Sequence, residues 1–181
     1  MEREGFVLEM WDLYDKARAH TGITMRRGDA QPSGGYAMVC CVAVFNSRGE
    51  MLIQQRAAQK DTNANRWDIT AAGSAQAGDN SQQAAARELL EEVGICYDFG
   101  EQPPHFTITK DTAFFDFYLV GLDVDIDTIQ LQADEVQRVR WASRSEISRL
   151  IVRGEFIPIY DNLIGLMFDM HTNGVMGSCW V

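Results

Sequence analysis

The sequence predicts an α/β fold of the α+β kind: an α/β/α sandwich whose mixed β-sheet lies between helices, with an N-terminal strand extension. Three observations point there. Short β-branched and aromatic runs are separated by glycine-containing turns, one long amphipathic helix pattern sits in mid-chain, and further helix patterns close the sequence.

Residues 1–35 read as the extension, a strand pair around EMWDLYD and GITMRRG that ends in the loop QPSGG. AMVCCVAVF follows as a core strand, in which Cys40 and Cys41 point to opposite faces because strand side chains alternate. NSRG turns the chain into MLIQQR, and WDITAA leads from there into the loop at Gly73. From Ser81 to Val93 apolar residues recur at helical spacing; Asp79, Asn80 or Ser81 can cap the start, and Gly94 suits the left-handed position that ends a helix. AFFDFYLVGL and QRVRWA supply later strands. SRSEISRLIVRG and the segment from Pro158 to His171 read as closing helices, each with an apolar stripe.

With 181 residues, 46% hydrophobic and 23% charged, the chain is long enough for one sizeable core, and 1–181 reads as a single domain. No apolar run approaches the roughly 18 residues of a membrane-crossing helix, and the opening MEREGFVLEMWD is acidic and mixed, unlike a targeting leader. The expectation is a soluble cytoplasmic protein. A net charge of −10 opposes binding to nucleic acid polymers and anionic membranes, so an anionic substrate must be recruited by local cations. Cys40, Cys41, Cys96 and Cys179 show no metal or redox spacing and read as small hydrophobes in a reducing compartment. A symmetric homodimer is compatible with the chain.

The chemistry is concentrated in residues 73–95, GSAQAGDNSQQAAARELLEEVGI. On a helix turning about 100° per residue, Glu88, Glu91 and Glu92 share a face that looks outward, and Ala86, Leu89, Leu90 and Val93 form the adjoining apolar side. Like charges at these spacings cost roughly 0.2–0.5 kcal/mol per pair, and Arg87 offsets only part of that. A small hard divalent cation, Mg²⁺ or Mn²⁺, suits the remainder, because it takes oxygen ligands and completes its shell with water and phosphate oxygens. An acidic helix face that merely meets water has the same local pattern. The glycines before and behind favour a carboxylate platform for phosphate chemistry.

This segment resembles the Nudix box, G-x5-E-x7-R-E-U-x-E-E-x-G-U with U aliphatic. Gly73, Arg87, Glu88, Leu89, Glu91, Glu92, Gly94 and Ile95 match at the family's spacing, and Asp79 alone departs, replacing glutamate with an acid one methylene shorter. The resemblance implies a Nudix-type sandwich in which Glu91, Glu92 and Glu88 bind the metal, Arg87 orients the glutamates and the Gly73 carbonyl adds a ligand. It further implies hydrolysis of a diphosphate linked to another group, commonly a nucleoside diphosphate derivative, with Glu88 the first candidate for the base. Glu135, in DEVQRVRW, stands where many members carry a further acid facing the metal. The shortened Asp79 is expected to alter a supporting contact more than the metal centre.

The flanks EMWDLYDKARAHTGITMRRGD, AMVCCVAVFNSRGEMLIQQR and RWDITAAGSAQAG resemble the Nudix subgroup related to isopentenyl diphosphate isomerase. That makes isomerisation the competing activity. The isomerase pattern places a cysteine and a metal-binding histidine around the glycine matching Gly73, and this chain has Ala72 and Ser74 there. A methyl cannot transfer a proton and a hydroxyl replaces an imidazole ligand poorly. A third reading is a Nudix domain that binds ligand without turnover; it predicts damaged metal ligands, and the sequence shows none.

Arg26 and Arg27 are candidates for a phosphate-binding patch, Arg56 ends a strand expected near the site, and Trp67 either stacks on substrate or anchors the core. His20, His105 and His171 have no partners at ligand spacing. The substrate's second group is chosen by loops and by the extension, beyond the box.

Overall fold

The computed structural model describes residues 9–173. Cys179 and the first residues of the predicted extension lie outside that range. The extension forms a hairpin of β1 (Met10–Tyr14) and β2 (His20–Arg26), antiparallel with Met10 opposite Arg26. It is fastened to the body where Tyr14 and Tyr36 exchange backbone hydrogen bonds of 2.9 and 2.8 Å.

The main sheet is built from β3 (Ala37–Phe45), β4 (Met51–Arg56), β5 (Trp67–Asp68), β6 (Ala71–Ser74), β7 (Phe106–Lys110), β8 (Ala113–Gly121) and β9 (Val136–Ala142). β3 pairs in parallel with β8 along its whole length and antiparallel with β6, while β7 covers the outer edge of β8. β4 pairs antiparallel with β9 and β5. The two groups meet at one register pair, Phe45 opposite Met51, and then part. Thr70 bridges the parting: its hydroxyl accepts from Val44 N at 2.8 Å and donates to Leu52 O at 2.6 Å. Without that hydroxyl, buried backbone groups at the fork would lack partners, a loss of about 1–3 kcal/mol each.

Helix α1 (Ser81–Val93) packs on one face of the sheet; α2 (Arg144–Val152) and α3 (Asp161–Asn173) pack on the other. β3 is buried on both sides, with Cys40, Val42 and Val44 facing α1 and Cys41, Ala43 and Phe45 facing α2 and α3. The expected α/β/α sandwich with a mixed sheet is therefore present. Asn80 caps α1 through a reciprocal box with Gln83, and Gly94 ends it at φ 65°. A side chain at Gly94 would also meet Gln130 O at 2.9 Å, so glycine serves both the turn and the close approach.

Some expectations need correction. β7, the 3₁₀ turn Ile126–Thr128 and the division of WDITAA into two short strands were not legible in the sequence. α3 begins at Asp161, three residues after Pro158; the chain before it is engaged elsewhere, with Phe156 bridged to Trp67, Ile157 N donating to Trp67 O at 2.8 Å and Ile159 N donating to Ile157 O at 2.7 Å. In α1 the buried residues are Ser81, Ala84, Ala85, Leu89, Glu92 and Val93, whereas Leu90 is 52% exposed. The buried stripe is thus rotated, and it takes Glu92 with it.

Candidate active site

Every box residue is positioned by the junction of β6, the loop 75–80 and α1. One cavity of about 190 Å³ opens there, and Gly73, Arg87, Glu88, Glu91, Glu92 and Glu135 all line it. Of the cations proposed from sequence, Arg56 and Arg27 line it too. Trp67 does not. It is 7% exposed in the core facing α2 and α3, and its ring lies under the guanidinium groups of Arg138 and Arg140 at 5.2 and 5.0 Å. It is an anchor, and no substrate base can stack on it. Arg26 pairs with Asp29 at 3.4 Å away from the cavity.

Arg87 is the hub of the acidic cluster. Its Nη1 donates to Glu88 at 2.7 Å and to Glu91 at 3.2 Å, its Nη2 to Ser74 O at 3.0 Å, and its Nε to Asp79 at 3.2 Å. The one departure from the box therefore still reaches the arginine. Asp79 also accepts from Gln76 N at 3.2 Å, which ties the loop to the helix. Gly73 is glycine for a separate reason: a Cβ there would fall on the Glu88 carboxylate. That carboxylate lies directly over the β6 backbone.

Glu92 is 5% exposed. Its Oε2 accepts from Gln54 Nε2 at 2.7 Å and from Ala72 N at 3.1 Å. Burial, reinforced by the nearby charges of Glu88 and Asp68, pushes its carboxyl up to about 8 against those two hydrogen bonds. Burial raises Glu88 as well, with Arg87 opposing. Asp68, wholly enclosed, is pushed up to about 6 by burial despite Arg56 at 3.5 Å and the Ile69 N–H. Sequence reasoning missed Gln54, Asp68, Lys60 and Glu9. The row Leu52, Gln54, Arg56 on one face of β4 carries a faint signal, a strand passing from apolar to charged, but Lys60 and Glu9 carry none. Lys60 pairs with Glu135 across the cavity mouth, and Glu9 accepts from Arg27 at 2.6 Å.

Among the described residues, no three acids, histidines or cysteines are gathered closely enough to cage a metal by themselves. The donor set fits a different kind of site. Carboxylates concentrated on one wall, with Glu88 and Glu92 pushed up chiefly by burial, suit a cation such as Mg²⁺, which is held by one or two carboxylates and takes water and substrate phosphate for the rest. Glu91, 48% exposed in its side chain, stands at the solvent side, and Glu92 stands at the floor.

The profile of the NUDIX domain matches residues 36–163. An uncharacterized Nudix hydrolase of Listeria monocytogenes is 39% identical over 153 residues, which span 84% of this chain and 90% of that protein. An isopentenyl-diphosphate Delta-isomerase of Pectobacterium atrosepticum is 32% identical over 143 residues, 76% of this chain and 78% of the relative. Among solved structures, DR0079 from Deinococcus radiodurans superposes with a TM-score of 0.70 at 22% identity over 88% of this chain and 97% of its own, a likeness of fold. With the profile spanning most of the sequence and the Listeria protein alike along nearly its full length, the chain belongs to the Nudix hydrolase family.

Proposed function

We propose that the protein hydrolyses a diphosphate linkage in a small molecule, a nucleoside diphosphate linked to another group or a related compound, using Mg²⁺ or Mn²⁺. The observation that carries the reading is the convergence of Glu88, Glu91, Glu92, Glu135 and Gly73 on one cavity that Arg27, Arg56, Lys60 and Arg87 also line. Glu92, Glu91 and Glu88 hold the cation, with Glu135 and the Gly73 carbonyl as further donors. A cation held by these residues would supply Lewis-acid polarisation of the phosphate, a lowered pKa for bound water and compensation of charge on the leaving phosphate. Arg87 keeps Glu88 and Glu91 oriented and lowers the repulsion between them. Glu88 accepts the proton from the attacking water. Arg56 and Arg27 attract the remaining phosphate charge at the cavity floor and rim, which the chain's overall negative field would otherwise repel.

The isomerase relative supplies the competing reading, and the residues flanking Gly73 oppose it. Ala72 carries only a methyl and Ser74 a hydroxyl, and their contacts with Glu92 and Arg87 are made by the backbone, so neither presents a thiol or an imidazole at the reacting centre. The test is an activity screen with Mg²⁺ and Mn²⁺ over nucleotide sugars, dinucleotides, coenzyme A and isoprenoid diphosphates. Phosphate-containing fragments are expected; an alkene of unchanged mass would establish isomerisation instead. Glu92→Gln should lower turnover by more than the roughly 100-fold that losing a supporting residue costs, with its unfolding transition retained, and full activity in that variant would overturn the assignment of Glu92.

A further inference from the structure

The geometry points to Gln54 as the positioning residue that aims Glu92 into the cavity, an inference that rests on reading Glu92 as a metal-binding carboxylate. Gln54 is 1% exposed, a primary amide in a strand whose other residues on that face are Leu52 on the core side and Arg56 on the cavity side. A buried amide is costly unless it is matched, by about 1–3 kcal/mol. Its match is specific: Nε2 donates to Glu92 at 2.7 Å, the shorter of the two hydrogen bonds that carboxylate receives.

Both donors act on the same oxygen. Gln54 Nε2 and Ala72 N each reach Oε2, and among the described residues no donor reaches Oε1. One oxygen is thereby fixed and the other is left to the cavity that Glu92 lines. The two donors also come from opposite sides of the fork in the sheet, Gln54 from the β5–β4–β9 group and Ala72 from the β6–β3–β8–β7 group. Glu92 thus spans the gap between them, beyond the point where Thr70 closes it, with Gln54 following Leu52 on the same face of β4 and Ala72 following Thr70 along the chain. A carboxylate held from both sides cannot swing toward solvent as a glutamate on a free helix face does. Its rotamer is set before any cation arrives, which lowers the ordering cost of binding.

The test uses Mn²⁺ alone as the probe, with affinity measured by calorimetry on the intact chain. Gln54→Met keeps the volume and removes the donor; Gln54→Asn keeps the amide and withdraws it by one methylene; Gln54→His restores an N–H near the original position. Mn²⁺ affinity is expected to fall by about 10- to 100-fold in the first two and to recover at least in part in the third, while thermal unfolding follows no such order. In turnover, kcat should fall in the same sequence with KM for the diphosphate substrate little changed. A residue that only fills the core would show the converse, with stability altered and Mn²⁺ affinity constant. Glu92→Gln separates the two levels of the argument. If it abolishes Mn²⁺ binding while Gln54→Met and Gln54→Asn bind as wild type does, Gln54 has no positioning role and the reading of Glu92 stands. If wild type and Glu92→Gln bind Mn²⁺ equally, the reading of Glu92 falls and the inference about Gln54 falls with it.

Discussion

A single missing methyl group decides where Glu88 can be. Because a Cβ on Gly73 would coincide with the Glu88 carboxylate, Gly73→Ala must push that side chain off the β6 backbone and out of its 2.7 Å contact with Arg87. The displaced group is the end of a flexible side chain, so folding should tolerate the change while catalysis does not. We expect kcat to drop by about tenfold or more, in line with small misplacements of catalytic groups, and the unfolding midpoint to move little. Unchanged kcat would show that Glu88 has no part in the reaction. The same scale explains which of its two readings Trp67 takes, the core anchor. In a strand, one residue's shift reverses the face, and Trp67 lies opposite Asp68, whose carboxylate is the one turned toward Arg56.

At the scale of elements, the hairpin β1–β2 is joined to the site by polar contacts that the sequence did not reveal. Arg18, in its turn at φ 64°, makes a bidentate pair with the fully buried Asp116 of β8 at 2.8 and 2.7 Å. Asp116 also accepts from Thr107 of β7 and from Ser81, the first residue of α1, each at 2.6 Å, and Tyr118 donates to Ser81 at 2.8 Å. The hairpin also fixes the loop before α1, since Ala77 N donates to Met10 O and Gly78 N to Asp12, both at 2.8 Å. Arg18→Ala would leave a buried carboxylate without its cation and should cost about 3 kcal/mol, the low end for a broken buried pair because water can enter from the exposed side of the arginine. Equilibrium denaturation checks this, and a change under about 1 kcal/mol would mean that Ser81 and Thr107 suffice. Most elements were legible: the strands 37–45 and 51–56 and the helix 81–93 appear where period and caps place them. β7 was not, because FTITK is short and mostly exposed and owes its strand form to the β8 edge beside it.

For the whole molecule, the buried acids set an uncommon dependence of stability on pH. Burial first, and neighbouring charge second, holds Glu92 at about 8, and burial holds Asp68 at about 6. A carboxyl raised on folding binds its proton more tightly in the native state. It therefore favours folding below its unfolded value, and that contribution is lost as pH rises to the folded one. In chelator the protein should lose stability from about pH 4 to 8, measured as the urea midpoint, and millimolar Mg²⁺ should flatten the decline by favouring the ionised site. A midpoint that rises over that interval in chelator would contradict the assignment. Asp116 acts in the opposite sense. Burial raises it, but the hydrogen bonds from Arg18, Ser81 and Thr107 prevail and hold it below 3.8, so its contribution disappears only in stronger acid.

The box residues, their spacing and the capped helix were determined by the sequence alone, because they depend on chemistry within about two dozen neighbouring positions. Local periodicity also fixed the sandwich, since each apolar stripe has to be covered. Only the tertiary structure decided that Glu92 faces inward, that Gln54 holds it, that Lys60 meets Glu135 and that Arg18 reaches Asp116. Those partners are separated by 38, 75 and 98 positions, and no rule of local spacing links residues that the fork in the sheet and the docking of the hairpin bring together.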